Sequence, residues 1–493
     1  MSNISGIIKS IQDIMRKDVG VDGDAQRISQ LVWMFFLKIF DDREAELEMM
    51  EDNYKSPLPE HLRWRSWASN REGITGDELA DFVNLQLFPL LKEDLTGFGN
   101  LSGLQRQRAQ VIRTVFEDAY NYMKSGTLMR QVINKICEID FNTSSDRHTF
   151  GSIYEQILKD LQSAGNAGEF YTPRAVTTFI VDRIMPRLKE KVMDPACGTG
   201  GFLTNVIEYK REHFVRSPED EEILQATIHG VEKKTLPYML CTTNMILHGI
   251  DIPINIRHDN TLSRPLRDYT NKDRVDVIVT NPPFGGMEED GIENNFPASY
   301  RTRETADLFL TLIIHLLKPG GRAAIVLPDG FLFGEGIKTR LKEKLLTDCN
   351  LHTIVRLPNG VFNPYTGIKT NLLFFTKGKP TETVWYYEHP YPDGVKSYNK
   401  TRPMRFEEFA PEIAWWGSEA DGFAAREENE RAWKVTIDKI KSGNYNLDIK
   451  NPHTGEQVNH DPDKLLERYI AKQKEIAGLQ SQLKAMLQEA LRR

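Results

Sequence analysis

The sequence predicts an α/β protein: a mostly parallel sheet with crossover helices, a helical region before it and a long helix after it. Three observations predict this. Between about 150 and 378, β-branched runs, Gly/Pro turns and helical stretches alternate, the texture of strands joined by crossovers. Residues 1 to about 145 lack that alternation and carry helical periodicity instead. The closing stretch "DKLLERYIAKQKEIAGLQSQLKAMLQEALRR" repeats apolar residues at steps of 4 and 3.

At 493 residues the chain is long enough for two or three domains. Its apolar share of 40% and charged share of 27% are those of a globular protein. The longest apolar run, Leu31 to Phe40, is broken by Lys38 and is too short for a membrane span, so no membrane partner is expected. The amino terminus has no apolar leader core. Four cysteines stand far apart without a CxxC pair, which excludes a disulfide framework or a zinc site and fits a reducing cytoplasm. A net charge of −7 is the wrong sign for a protein that grips nucleic acid unaided. Either the substrate is not a nucleic acid, or a partner supplies much of the phosphate contact.

In chain order, "QRISQLVWMFFLKIFDDREAELEMM" (26 to 50) reads as an apolar helix followed by a charged one, with Trp33, Phe36, Leu37 and Phe40 on one face as a core stripe. "NREGITGDE" and "LTGFGNLSG" read as loops. Strands are expected at 191–193, 227–231, 253–257, 275–280, 321–327, 352–356 and 371–376, and helices at 202–213, 234–248, 305–317 and 336–347. After Gly378 the chain reads as polar and irregular through about 460. In the last helix Leu465, Tyr469, Lys472, Ile476, Leu479, Leu483, Met486 and Ala490 form an a/d seam with one polar member. Such a seam either packs on its own domain or docks on a partner helix, and its length favours docking. The expected division is 1–148, 149–378, 379–462 and 463–493.

Chemistry concentrates at strand ends. "MDPACGTGGF" (193 to 202) leaves a short strand and enters a helix, and Gly198, Gly200 and Gly201 let the turn tighten and a ligand approach the backbone. The dinucleotide fingerprint fails because Leu203 takes the third glycine's place, and a P-loop fails for want of GK[ST]. Asp194, an acid at the strand end beside GxGG, suits a ligand with a positive centre and no phosphates; S-adenosyl-L-methionine is such a ligand. Glu232 ends the second strand, where an acid holds ribose hydroxyls. Asp259 and Asn260 end the third, where they could bond an adenine edge or simply form a turn.

"VDVIVTNPPFGG" (275 to 286) then follows a buried strand with a stiff loop. An exocyclic amine on an aromatic ring is a poor nucleophile, because its lone pair is delocalised. Two acceptors aimed at its N–H groups, the Asn281 side-chain oxygen and the Pro282 carbonyl, would favour a pyramidal nitrogen with its lone pair directed outward. Pro282 and Pro283 stiffen that carbonyl, and Phe284 offers a face for an extruded base. A plain turn is the bland alternative.

"DPACGTGGF" with "NPPF" resembles the amino-methyltransferases, and "NAGEFYTPRAV" (166 to 176) sharpens the match. An "xxFTPR"-like segment before the Gly loop is similar to that of the modification (M) subunits of type I restriction-modification systems. The resemblance extends to "LKPGGRAAIVLPDGFLF", "LPNGVF", "GIKTNLLFFTKG", the helical amino-terminal region and the last helix; Tyr171 departs from the usual Phe, and the Gly loop carries Cys197. It implies a Rossmann-like S-adenosylmethionine-dependent methyltransferase sheet. It implies contacts to the cofactor's methionine part by Glu169, Phe170, Tyr171, Thr172, Pro173 and Arg174, cofactor roles for Thr199, Gly200, Gly201 and Glu232, and catalytic roles for Asn281, Pro282, Pro283 and Phe284. It implies methylation of adenine N6 in double-stranded DNA, with the base flipped out. The expected partners are a specificity (S) subunit that reads the DNA, a second M subunit within an M2S1 methylase, and restriction (R) subunits. The acidic balance agrees, and so does the last helix, where seven Lys/Arg and three Glu between 464 and 493 give +4 for docking on S. Methylation of cytosine C5 is disfavoured for want of a Cys after Pro; cytosine N4 and protein glutamine remain enzyme alternatives, and a non-catalytic scaffold is the non-enzyme one.

Overall fold

The computed structural model describes residues 3–52, 54–93, 95, 101, 103–141, 154, 172–363, 366–399, 401–453 and nine positions between 469 and 484. The chain divides into two units, Met1–Ile449 and Lys450–Arg493.

The amino-terminal region is helical, as its periodicity predicts, with α1 (Asn3–Met15), α2 (Asp24–Met50), α3 (Gly103–Phe116) and α4 (Gly126–Ile136) as its main helices. The expected break between an apolar and a charged helix does not exist: α2 runs unbroken. It contains no Gly or Pro, and the half-buried Lys38–Asp42 pair, one turn apart, bridges the change in character. Trp33, Phe36, Leu37 and Phe40 are buried. So are Leu31, Val32, Met34 and Phe35, so the 31–37 stretch of this helix is apolar all round and sits inside its domain, while Met49 and Met50 at its end are exposed. The stretch expected to be a loop at 70–78 gives way to a short helix at Gly76.

Among the described residues nine strands form one sheet in the order β3-β2-β1-β4-β5-β7-β6-β8-β9. They are β1 (Val192–Asp194), β2 (Ile228–Glu232), β3 (Ile256–His258), β4 (Val275–Thr280), β5 (Leu317–Pro328), β6 (Cys349–Arg356), β7 (Thr370–Lys377), β8 (Thr383–Glu388) and β9 (Ala432–Thr436). The first five strands are mutually parallel, and β7 is inserted antiparallel between β5 and β6. The connecting helices include α5 (Arg174–Ile184), α6 (Gly201–His213), α7 (Pro218–Ala226), α8 (Thr235–Leu247), α9 (Thr305–Leu316) and α10 (Ile337–Asp348). The sheet has a core on each face: along β5, Ala324 and Val326 join one cluster, and Ala323, Ile325 and Leu327 the other. Strands covered on both faces lose the polar alternation and read as continuous apolar runs.

The region after Gly378 is not irregular. β8 pairs in parallel with β6, β9 pairs antiparallel with β8, and Tyr386 stacks on its cross-strand partner Trp433 at 5.2 Å. Phe409 stacks on Phe179 of α5 at 4.1 Å, so the segment after β8 packs against the helix before β1. The strand was hidden because Thr383–Glu388 is short, non-alternating and bounded by turn-rich polar sequence. In the second unit residues 450–453 are non-helical, the described positions from 469 to 484 are helical, and Tyr469 (61%) and Ile476 (48%) are exposed. The seam members Leu465, Leu479, Leu483, Met486 and Ala490 lie outside the described residues. Among the described residues no helix is long and apolar enough to cross a membrane.

Candidate active site

The strand order reverses at β1, with β2 on one side and β4 on the other. Sheets of this kind hold ligands beyond the carboxyl ends at that point. Here a cavity of ≈ 390 Å³ is lined by the ends of β1, β2 and β4 and the start of α9. That is a volume suited to a small-molecule site.

The Gly turn leaves β1 and enters α6. Gly198 (φ +54°) and Gly200 (φ +86°) both adopt the left-handed region. A Cβ on Gly200 would meet Cys241 Sγ at 2.9 Å, so α8 packs directly on the turn. A Cβ on Gly198 would meet nothing within 4 Å, which leaves its backbone open to a ligand. Asn244 of α8 supports the turn by donating to the Thr199 carbonyl at 3.2 Å. The Gly198 N–H donates to Glu232 Oε2 at 2.9 Å, and Lys234 N–H donates to Glu232 Oε1 at 2.8 Å. The acid at the end of β2 is thereby fixed in direction against the cavity.

Asp194 forms the floor. It is buried and accepts from Thr280 Oγ1 at 2.6 Å and from Ala196 N–H at 3.1 Å. Burial nevertheless outweighs these bonds and, with Glu232 nearby, raises its carboxyl to about 7. The register of β1 on β4, with Met193 opposite Ile278, brings Asp194 beside Thr280 and hence one residue from Asn281.

Asn281 Nδ2 donates to Thr172 Oγ1 at 2.9 Å. This bond joins two motifs 109 residues apart and orients the other end of the amide. Asn281 Oδ1 is buried and, among the described residues, accepts no hydrogen bond. Buried polar atoms are nearly always paired, so an orphaned acceptor in a cavity wall marks the place of an absent donor.

Of the residues expected from sequence, Thr172, Asp194, Gly198, Thr199, Gly201, Glu232, Asn281 and Pro283 line this one cavity. Gly200 stands behind the turn. Phe284 is buried with its ring 6.4 Å from that of Phe362. Pro173 precedes α5, and Arg174 pairs with Glu208 at 2.9 Å on the surface instead of reaching inward. Glu169, Phe170 and Tyr171 lie outside the described residues. Pro282, Asp259 and Asn260 are not in the wall. The Asp259 side chain is 49% exposed, and Asn260 spends its amide within the protein, accepting from Leu262 N–H and donating to Glu288. The wall also contains Lys233, Glu288 and Thr305, which sequence reading missed. Lys233 had a signal in its adjacency to Glu232; Glu288 and Thr305 had none, since nothing local distinguishes them from solvated loop and helix-start residues.

The donor set fits S-adenosylmethionine: an acid fixed at the end of β2 for hydroxyls, an acid on the floor for a cationic ligand, and an open glycine backbone between them. Comparison with known proteins agrees. The family model described as N-6 DNA Methylase matches residues 145–461, and that described as HsdM N-terminal domain matches 4–136. The chain is 64% identical over 491 residues to the type I restriction enzyme EcoEI methylase subunit of Escherichia coli, covering 99% of this chain and 98% of that one. A solved modification subunit from Vibrio vulnificus YJ016, attributed to a type I restriction enzyme, is 44% identical with a TM-score of 0.81, covering 92% and 98% of the two chains. A chain solved in a study of type I R-M complex assembly and conformational transition is 35% identical with a TM-score of 0.79, covering 98% of each. The chain belongs to the N-6 DNA methylase family, among the methylase subunits of type I restriction enzymes.

Proposed function

We propose that this chain is the methylation subunit of a type I restriction-modification system, acting on N6 of an adenine flipped out of double-stranded DNA. The observation that carries the reading is Asn281 Oδ1, a buried acceptor without a donor, held in the cavity wall by Thr172. An exocyclic N–H₂ is the donor that position lacks. Asn281 Oδ1 and the Pro282 carbonyl orient the amine and draw its lone pair out of conjugation, and the prolines keep the second acceptor rigid. Phe284 stacks on the extruded base.

Glu232 holds the ribose hydroxyls, the Gly198–Gly201 backbone lies along the cofactor, and Asp194 holds its cationic part. Thr172, with Glu169, Phe170, Tyr171 and Pro173, completes the methionine end, and Arg174 steadies that segment from outside through its pair with Glu208. Bound there, S-adenosylmethionine supplies an electrophilic sulfonium methyl. No general base is required in advance, since an alkylated amine of this kind releases its proton readily afterwards. Asp259 and Asn260 serve the adenine side by holding the β3 end in place.

Sequence choice belongs to a specificity subunit, joined by two copies of this chain, with restriction subunits completing the nuclease. The acidic balance of this chain and its basic last helix support that division of labour. The division 1–148, 149–378, 379–462 and 463–493 assigns these tasks to segments, and the matches to 4–136 and 145–461 support its first boundary. DNA as substrate and four unbridged cysteines among the described residues support a cytoplasmic location.

The test is product analysis. The chain reconstituted with its specificity subunit is incubated with unmodified DNA and labelled S-adenosylmethionine, and the DNA is digested to nucleosides. Label in N6-methyl-2′-deoxyadenosine is expected; label in N4-methyl-2′-deoxycytidine, or none in DNA, overturns the reading.

A further inference from the structure

The loop after NPPF leaves the site at Gly285 and returns through a bridge between Met287 and Glu304. Its Glu288 is only 8% exposed, although it is a carboxylate. Burying a charged group is costly unless it is partnered, so the partners define its purpose. Glu288 Oε2 accepts from Lys233 Nζ at 3.3 Å and from Asn260 Nδ2 at 3.2 Å. Glu288 Oε1 accepts from Thr305 Oγ1 at 3.4 Å. Lys233 directly follows Glu232 at the end of β2, and Asn260 follows β3. Thr305 starts α9, and its N–H donates to the Gly286 carbonyl at 3.0 Å. The backbone of Glu288 is held as well: its N–H donates to the Arg303 carbonyl at 2.9 Å, and its carbonyl accepts from Arg303 Nη2 at 3.0 Å.

One carboxylate therefore ties the acceptor side of the cavity, β4 and its loop, to the two strand ends on the nucleoside side. We infer that Glu288 is a positioning residue for methyl transfer, a latch that sets the separation between the NPPF loop and the ends of β2 and β3. The inference rests on the function proposed above. Displacement of a reacting group by about 1 Å costs on the order of 10²-fold in rate, so a latch should act on kcat more than on cofactor affinity.

The experiment uses the methylase complex and measures kcat, cofactor Kd by calorimetry and thermal stability for three single variants and one double. Glu288→Ala should lower kcat by about 10²-fold while cofactor Kd changes by less than about threefold. Glu288→Gln keeps the side chain's length and one acceptor oxygen, and should recover kcat to within about tenfold of wild type. Asn260→Ala cuts the latch from its far end without stranding a charge, and combined with Glu288→Ala it should cost little beyond the single change. Unchanged kcat in Glu288→Ala, a loss confined to cofactor Kd, failure of Gln to recover any rate, or strict additivity of the pair would each overturn the latch. Should wild type itself make no N6-methyl-2′-deoxyadenosine, the failure belongs to the proposed function instead.

Discussion

Replacing Asn281 by Ala is the sharpest test of the site, because the side chain has one end anchored and the other unspent. The anchored end is the 2.9 Å bond to Thr172 Oγ1; the unspent end is the buried Oδ1. Truncation removes an acceptor that should strengthen as the amine's N–H groups polarise in the transition state. Loss of one such preorganised partner in an enclosed site costs about 10²–10³-fold in kcat, or roughly 3–4 kcal/mol. The cofactor's holders, Glu232 and the Gly198 turn, are bonded to each other and do not depend on Asn281. Cofactor affinity should thus stay within about threefold. Thr172→Val removes only the anchor, a bond of about 1 kcal/mol, and should cost about fivefold. Single-turnover transfer of labelled methyl to DNA, beside calorimetry of cofactor binding, separates the two effects. If Asn281→Ala retained more than about a tenth of the wild-type rate, or lost rate only through cofactor affinity, the argument from the orphaned acceptor would be refuted.

Asp194 should make stability depend on pH. Its carboxyl is raised to about 7 in the folded state against an ordinary 3.8, so folding favours the protonated form. The associated stability is complete below about pH 4 and is lost as pH rises through 7. Asp194→Asn removes this loss: its thermal stability relative to wild type should grow between pH 5.5 and 7 by an upper bound of about 2 kcal/mol and level off above, and parallel melting profiles would refute it. Gly200→Ala should cost about 1–2 kcal/mol in backbone strain at φ +86°, besides the clash with Cys241, and abolish cofactor binding by calorimetry. Deleting residues from 463 onward should weaken assembly with the specificity subunit in size-exclusion chromatography without lowering the melting temperature of the sheet; an unchanged elution volume of the mixture would count against it.

Much of the site was legible because its signals are local. Val275–Thr280 declares a buried strand by composition, and Asn-Pro-Pro-Phe stops it by chemistry that needs no neighbour. Gly198 and Gly200 announce a turn whose positive φ angles are a property of the residues themselves. Errors fell where a local pattern was ambiguous. Asn260 reads equally as a ligand contact or a turn residue, and only the position of Glu288, 28 residues on, decides where its amide points. β8 was missed because burial on both faces erases the alternation by which a strand is recognised, and β9, five residues at the sheet's edge, is too short for its alternation to stand out from the polar sequence around it.

By itself, then, the sequence determined the order of the strands from β1 to β7, the stiff loop after β4, and the residues able to bind a cationic nucleoside and an aromatic amine. Those are consequences of backbone stereochemistry and side-chain type, which act within a few residues. Only the tertiary structure decided that β7 runs antiparallel between β5 and β6, that Thr172 orients Asn281, and that Glu288 spans the cavity. Each of these depends on which distant segments share a sheet edge or a cavity wall, and that is settled by packing around a common core, not by any stretch of chain alone.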